Sequence, residues 1–223
     1  DWGIDLARTI SPITWPEAAV THEALTLYQT AFRKPSFTCY LLDVSGSMES
    51  GGLTQLKQAM MGLMNQDVAG RYYIQTGEND VTVVIPFNDR LAGQYRVEGN
   101  SPQDMQGMIN YIRGLQSGGG TNIYLPIMEA LRVFQAEGDD LRNYLPSVVL
   151  MTDGRSNRGN LKQVQNHWQN MRANFDFPPV FGVTFGKADE TQLKELAQYS
   201  VARVFDGQKQ GLEKAFRQAK GYN

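Results

Sequence analysis

Three short runs constrain the fold more than anything else in the chain. CYLLDV (39–44), SVVLMT (147–152) and VFGVTF (180–185) are apolar at nearly every consecutive position instead of alternating. A strand with both faces apolar must be covered on both faces, as happens in a sheet sandwiched between helices. Between these runs lie amphipathic stretches at helical spacing, roughly Leu53–Asn65, Pro102–Leu115, Ile123–Glu137, Leu161–Asn174, Glu190–Tyr199 and Leu212–Ala219. Further strands are expected at Val81–Phe87, Gln94–Val97 and Arg203–Phe205, with the first three at Phe37–Asp43, Ser147–Thr152 and Val180–Phe185. Strand–helix alternation predicts an α/β fold, with a doubly wound, mostly parallel six-stranded sheet and helices on both faces. The connection NDRLAG after Phe87 is too short for a crossover, so the 94–97 strand should be an antiparallel edge strand.

Residues 1–35 differ from this pattern. Pro12, Pro16 and Pro35 punctuate them, and one helical stretch, about Pro16 to Phe32, could present Ala24, Leu25, Leu27, Tyr28 and Phe32 as an apolar face. The expected organisation is therefore an N-terminal extension (1–35) that packs on the main domain or joins it to something upstream, followed by a domain at 36–223. Starting at Asp1 without a Met, the chain is expected to be a piece of a longer protein, with room upstream for a signal or anchor.

Composition narrows the function classes. Apolar residues make up 41%, enough for a sizeable core. The formal charge of −2 offers no basic excess for a nucleic-acid surface. No stretch reaches the roughly 18 apolar residues that would span a bilayer. The single Cys39 lies in an apolar run and is expected to be buried. His22 and His167 have no partner set for a zinc site. Met60, Met61 and Met64 follow helical spacing and are expected to fill core. Tyr72 and Tyr73 are expected to be partly buried.

In doubly wound sheets, ligands bind beyond the carboxyl ends of the strands. The first strand is followed there by Asp43-Val44-Ser45-Gly46-Ser47, and the fourth by Asp153-Gly154. Gly118-Gly119-Gly120-Thr121 opens a helix between them. Together they supply two carboxylates and three hydroxyls, hard oxygen donors suited to Mg²⁺ or Mn²⁺, with Ca²⁺ as a further substitute, and disfavouring Zn²⁺. The glycine run lacks the lysine of a phosphate-binding loop. Arg155 and Arg158 follow the second aspartate and would favour an anionic partner, with Glu49 as a partial offset.

These segments resemble the von Willebrand factor type A family. FTCYLLDVSGSMES resembles its opening strand and DxSxS signature, LQSGGGTNIYLPIMEAL its threonine loop and following helix, and VVLMTDGRSN its fourth strand and completing aspartate. The likeness covers roughly residues 36–220. It implies a metal-ion-dependent adhesion site, in which Ser45, Ser47 and Thr121 contact the ion through hydroxyls and Asp43 and Asp153 hold it, usually through water. It implies a protein-binding module, not an enzyme. The ion would capture an exposed Asp or Glu of a partner, and Met48, Asn122, Arg155 and Ser156 would form the rim that selects it. The alternative is a Mg²⁺-dependent hydrolase or phosphotransferase. Against it, Ser45 stands where such phosphatases carry a second acid, and the motif loops hold no His or Lys. WGID, WPEAAV and LYQTAFRKPS resemble the junction in bacterial proteins that fuse a solute-binding-like domain to this fold. From that follows the expectation of an exported, membrane-attached bacterial protein, with a cytoplasmic one as the alternative.

Overall fold

The computed structural model describes residues 17–28, 32–71, 74–185 and 190–207. The chain divides into two compact units, Asp1–Arg33 and Lys34–Asn223. In the first, helix α1 (Ala18–Leu27) buries none of its residues, and Leu25, Leu27, Tyr28 and Phe32 of the expected apolar face are exposed. The WGID motif, Tyr72–Tyr73 and the expected helix at 212–219 lie outside the described residues.

The second unit is built on one sheet. Its strands are β1 (Ser36–Asp43), β2 (Val81–Phe87), β3 (Tyr95–Glu98), β4 (Leu145–Thr152), β5 (Val180–Thr184) and β6 (Val204–Asp206). Their spatial order is β3-β2-β1-β4-β5-β6. All neighbours are parallel except β2 and β3, which pair antiparallel at the edge, as the short connection requires. Every residue of β1 is buried. Tyr40 and Leu42 face one core with Met60 and Met108, and Phe37, Cys39 and Leu41 face the other with Ile127 and Phe134. That division follows from the two-residue period of a strand. Met60 and Met64 are core, while Met61 packs partly buried at its margin. Burial pushes the Cys39 thiol far above its ordinary pKa, so it behaves as a small apolar side chain.

Helices α2 (Gly52–Met64) and α4 (Pro102–Gly114) cover the first face, and α5 (Tyr124–Ala136), α6 (Leu161–Met171) and α7 (Thr191–Tyr199) cover the second. Helix α6 ends at Met171, not at 174, because Arg172 takes a left-handed conformation (φ 48°) and closes it. A short helix, α3 (Gln66–Gly70), was not expected from the sequence. Five residues are too few to show a period. Its signal is local: Asn65 Oδ1 accepts the Asp67 and Val68 N–H groups as an N-cap.

The strand order reverses at β1. The chain leaves β1 for β2 on one side and later returns to β4 on the other. Such a switch point opens a crevice at the carboxyl ends of the two central strands. Asp43 closes β1, and Asp153 follows β4.

Candidate metal centre at the switch point

Asp43 is completely buried. Its Oδ1 accepts the Ser45 N–H at 2.8 Å, which bends the chain sharply out of the strand. Its Oδ2 accepts the Thr152 hydroxyl from the end of β4. Ser47 Oγ donates to Asp153 Oδ1 at 2.8 Å, and Ser45 Oγ lies 3.1 Å from Ser47 Oγ. A serine hydroxyl has a single proton, so with that of Ser47 engaged, Ser45 is the donor between them. Asp43, Ser45, Ser47 and Asp153 are thus joined in one hydrogen-bonded chain.

The threonine loop is stitched to this chain by backbone. The Gly46 N–H donates to Gly119 O at 3.0 Å, and the Gly118 N–H donates to Val44 O at 2.8 Å. Gly119 has φ +81°, and a Cβ there would meet Asp89 Oδ1 at 2.9 Å and Asn88 Nδ2 at 3.0 Å. Only glycine meets both demands. Thr121 is 5% exposed, and its hydroxyl takes no hydrogen bond among the described residues.

The electrostatics suit a cation. Burial pushes the Asp43 carboxyl above the ordinary aspartate value. The hydrogen bonds from Thr152 and Ser45 pull it back, and the charge of Asp153 pushes it up further. Among the described residues, no basic side chain is among the groups acting on it. Among the described residues, no three His, Cys, Asp or Glu side chains gather as a metal cage. Any ion held here would therefore rely on hydroxyls as much as on carboxylates.

Two of the expected rim residues do not lie on a rim. Met48 is completely buried, because the 3₁₀ turn at Gly46–Ser50 rolls its side chain into the core beside Gly52. Ser156 is 6% exposed and faces inward. Its Oγ reaches Thr121 O at 3.2 Å and Arg158 O at 2.6 Å, and accepts the Ile123 N–H at 3.2 Å. Asn122 is half-buried, and its Oδ1 caps α5 through the Tyr124 and Leu125 N–H groups. Arg155 is exposed. Arg158 lies 3.4 Å from Asp89 across the loops.

Sequence reasoning missed the residues that hold the loops. Asn88 Nδ2 donates to Gly118 O at 2.7 Å, and Asn157 Oδ1 accepts the Thr121 N–H at 3.2 Å. Gln192 brackets Ser156, accepting its N–H at 2.8 Å and donating to its carbonyl at 3.3 Å. A signal existed for Asn88, which directly follows β2 at the same carboxyl edge. Elsewhere, a cleft of about 540 Å³ lined by Tyr144, Phe175 and Phe177 opens at the amino ends of β4 and β5, away from this chemistry.

The family model of the von Willebrand factor type A domain matches residues 39–218. The chain belongs to that family. A von Willebrand factor type A structure from Catenulispora acidiphila superposes with a TM-score of 0.64 at 17% identity, over 85% of this chain and 42% of its own. Proximal thread matrix protein 1 from the mussel byssus, solved with a zinc-occupied MIDAS motif, gives 0.57 at 18%, over 83% of this chain and 47% of its own. Manganese-loaded Plasmodium vivax TRAP protein gives 0.54 at 16%, over 82% and 74%. The chain spans less than half the length of the first two. These likenesses establish the shared fold. No curated protein sequence matches the chain significantly. No helix among the described residues is long and apolar enough to cross a membrane.

Proposed function

We propose that this von Willebrand factor type A domain is a non-enzymatic binding module that holds a divalent cation, Mg²⁺ in the first instance, and uses it to capture an acidic side chain of a partner protein. The observation that carries this reading is the hydrogen-bonded chain from Asp43 through Ser45 and Ser47 to Asp153, with the glycine loop that carries Thr121 stitched to it by backbone and the Thr121 hydroxyl taking no hydrogen bond among the described residues. Ser45, Ser47 and Thr121 would contact the ion through hydroxyls, and Asp43 and Asp153 would hold it, through water or directly. Two carboxylates balance the ion's charge, and neutral hydroxyls leave it attractive to one more anionic oxygen. The relatives described with zinc and manganese support a divalent ion in general. They also widen the choice beyond the donor-type argument, which disfavours zinc. Asn122 and Arg155 remain as candidate selectivity residues at the opening.

A capped peptide carrying one glutamate, compared with its glutamine analogue, tests the reading. Binding is expected for the glutamate peptide in Mg²⁺ only. Equal binding of the two peptides, or binding that persists in excess EDTA, would overturn it.

A further inference from the structure

Two helices adjoin the two loops that carry the hydroxyl ligands. Helix α2 begins at Gly52, directly after the serine loop, and a Cβ on Gly52 would meet Asp153 Oδ2 at 3.5 Å. Helix α4 ends at Gly114, and Leu115 to Ser117 lead from it into the threonine loop. Leu56 and Met60 of α2 share one buried core with Met105, Met108 and Ile112 of α4. Whatever fixes the end of α4 against α2 therefore fixes where the threonine loop starts relative to the serines.

A helix leaves its last carbonyls without partners, and many helices close on a left-handed glycine that satisfies them. Helix α4 does not. Leu115 is extended (φ −59°, ψ 144°), Gly114 is not left-handed, and the Leu115 N–H turns back to Ile112 O. Lys57 of α2 takes the carbonyls instead. Its Nζ donates to Arg113 O at 2.8 Å and to Leu115 O at 2.6 Å. The ammonium makes no ion pair among the described residues. It stands at the negative end of the α4 dipole, and a charged donor makes the stronger kind of hydrogen bond. Further along, the Gly118 N–H donates to Val44 O, and Gly118 O accepts from Asn88 Nδ2. The segment Leu115–Gly118 is thus held at both ends, by Lys57 at one and by Val44 and Asn88 at the other.

We propose that Lys57 is a positioning residue for the ion, fixing the exit of α4 so that Thr121 is presented to Ser45 and Ser47. The inference rests on the metal-site reading above and adds a residue outside the ligand set, itself a cation, on which ion affinity depends. Charge and position act here with opposite signs. Removing a positive charge raises the affinity of a cation site. Loosening the threonine loop lowers it.

The test compares Lys57→Met, which keeps the apolar stem, with Lys57→Arg, which keeps the charge and the donors. Mn²⁺ titration read by electron paramagnetic resonance gives the affinity. Lys57→Met is expected to bind about fivefold or more weakly, as losses of ligand-orienting partners do, and Lys57→Arg to stay within about twofold of the wild type. Lys57→Gln, which keeps one donor, should weaken binding in the same direction and carries the comparison if Lys57→Met does not fold. Amide hydrogen exchange in EDTA supplies a readout that needs no metal. Gly118 N–H should exchange faster in Lys57→Met, while Val44 N–H, which donates to Phe87 O at 2.7 Å, should not. Unchanged or tighter Mn²⁺ binding in the neutral variants, or an equal loss in Lys57→Arg, overturns the positioning role. Absence of Mn²⁺ binding in the wild type overturns the metal reading instead, and unchanged exchange at Gly118 then overturns the hold of Lys57 on the loop as well.

Discussion

Asp43 and Thr152 meet side chain to side chain at the ends of the two central strands, with the Thr152 hydroxyl donating to Asp43 Oδ2. The contact follows from register, since Leu42 pairs with Met151 and the next residues of the parallel strands stand opposite. Together with the Ser45 N–H on Oδ1, it leaves a fully buried carboxylate with both oxygens engaged and, among the described residues, no basic side chain acting on it.

That arrangement separates two substitutions which sequence alone treats as similar. From the sequence, Asp43→Ala is expected to leave the thermal midpoint nearly unchanged. The contacts predict otherwise. Alanine leaves the Ser45 N–H without its acceptor and takes from the Thr152 hydroxyl its short bond, leaving it Gly154 O at 3.3 Å, a cost of about 1–3 kcal/mol that relief of the buried charge only partly offsets. Asp43→Asn keeps an acceptor for Ser45 and removes the charge. In EDTA at neutral pH, Asp43→Asn should melt at or above the wild type, with Asp43→Ala below it. Urea or thermal unfolding monitored by circular dichroism checks this order, and an Asn variant less stable than the Ala variant would refute it.

The direction of the Asp43 shift sets the pH behaviour. A carboxyl with a raised folded pKa holds its proton more tightly when folded, so this group's contribution to metal-free stability falls as pH rises between the unfolded and folded values. Ion binding needs the anion and should have the opposite slope. Mg²⁺ affinity should decline as pH falls, starting above the ordinary aspartate value of about 3.9. Thr152→Val removes a hydrogen bond that holds the pKa down, so its affinity profile should move to higher pH. Calorimetric Mg²⁺ titrations at several pH values measure both effects, and superimposable profiles would contradict the assignment.

Ser156 ties the threonine loop to the loop after β4 through one hydroxyl that touches Thr121, Ile123 and Arg158. Ser156→Ala should destabilise the fold by about 1–3 kcal/mol through the unpaired Ile123 N–H. It should also weaken ion binding several-fold, although Ser156 is not among the expected ligands. A variant that lost stability while keeping full ion affinity would show that the loop is positioned by Asn88 and Asn157 alone.

Much of this site could be read from the residues, because its parts lie directly after strands that composition identifies. CYLLDV and VVLMTD each announce a buried strand and put a carboxylate at its end, and the fold does the rest. The six-residue NDRLAG connection likewise made β3 antiparallel. What could not be read depends on side-chain direction within loops. Met48 stands beside the serines in sequence, but a 3₁₀ turn sends it into the core. Ser156 looks like a polar rim residue, but the threonine loop offers it a carbonyl and an amide, and its own loop a second carbonyl. Asn88, Asn157 and Gln192 act through contacts of 30 residues or more along the chain, for which local pattern has no signal.

The central claim is that one divalent ion sits among Asp43, Ser45, Ser47, Thr121 and Asp153. Manganese is the direct probe, because free and bound Mn²⁺ differ in their electron paramagnetic resonance signal. Titration of the wild type should show one bound ion per chain that Mg²⁺ displaces. Asp43→Asn should abolish the binding, and Thr121→Ala should weaken it with the fold intact. Mn²⁺ binding of equal stoichiometry and affinity in Asp43→Asn, or none in the wild type at millimolar concentration, would contradict the account.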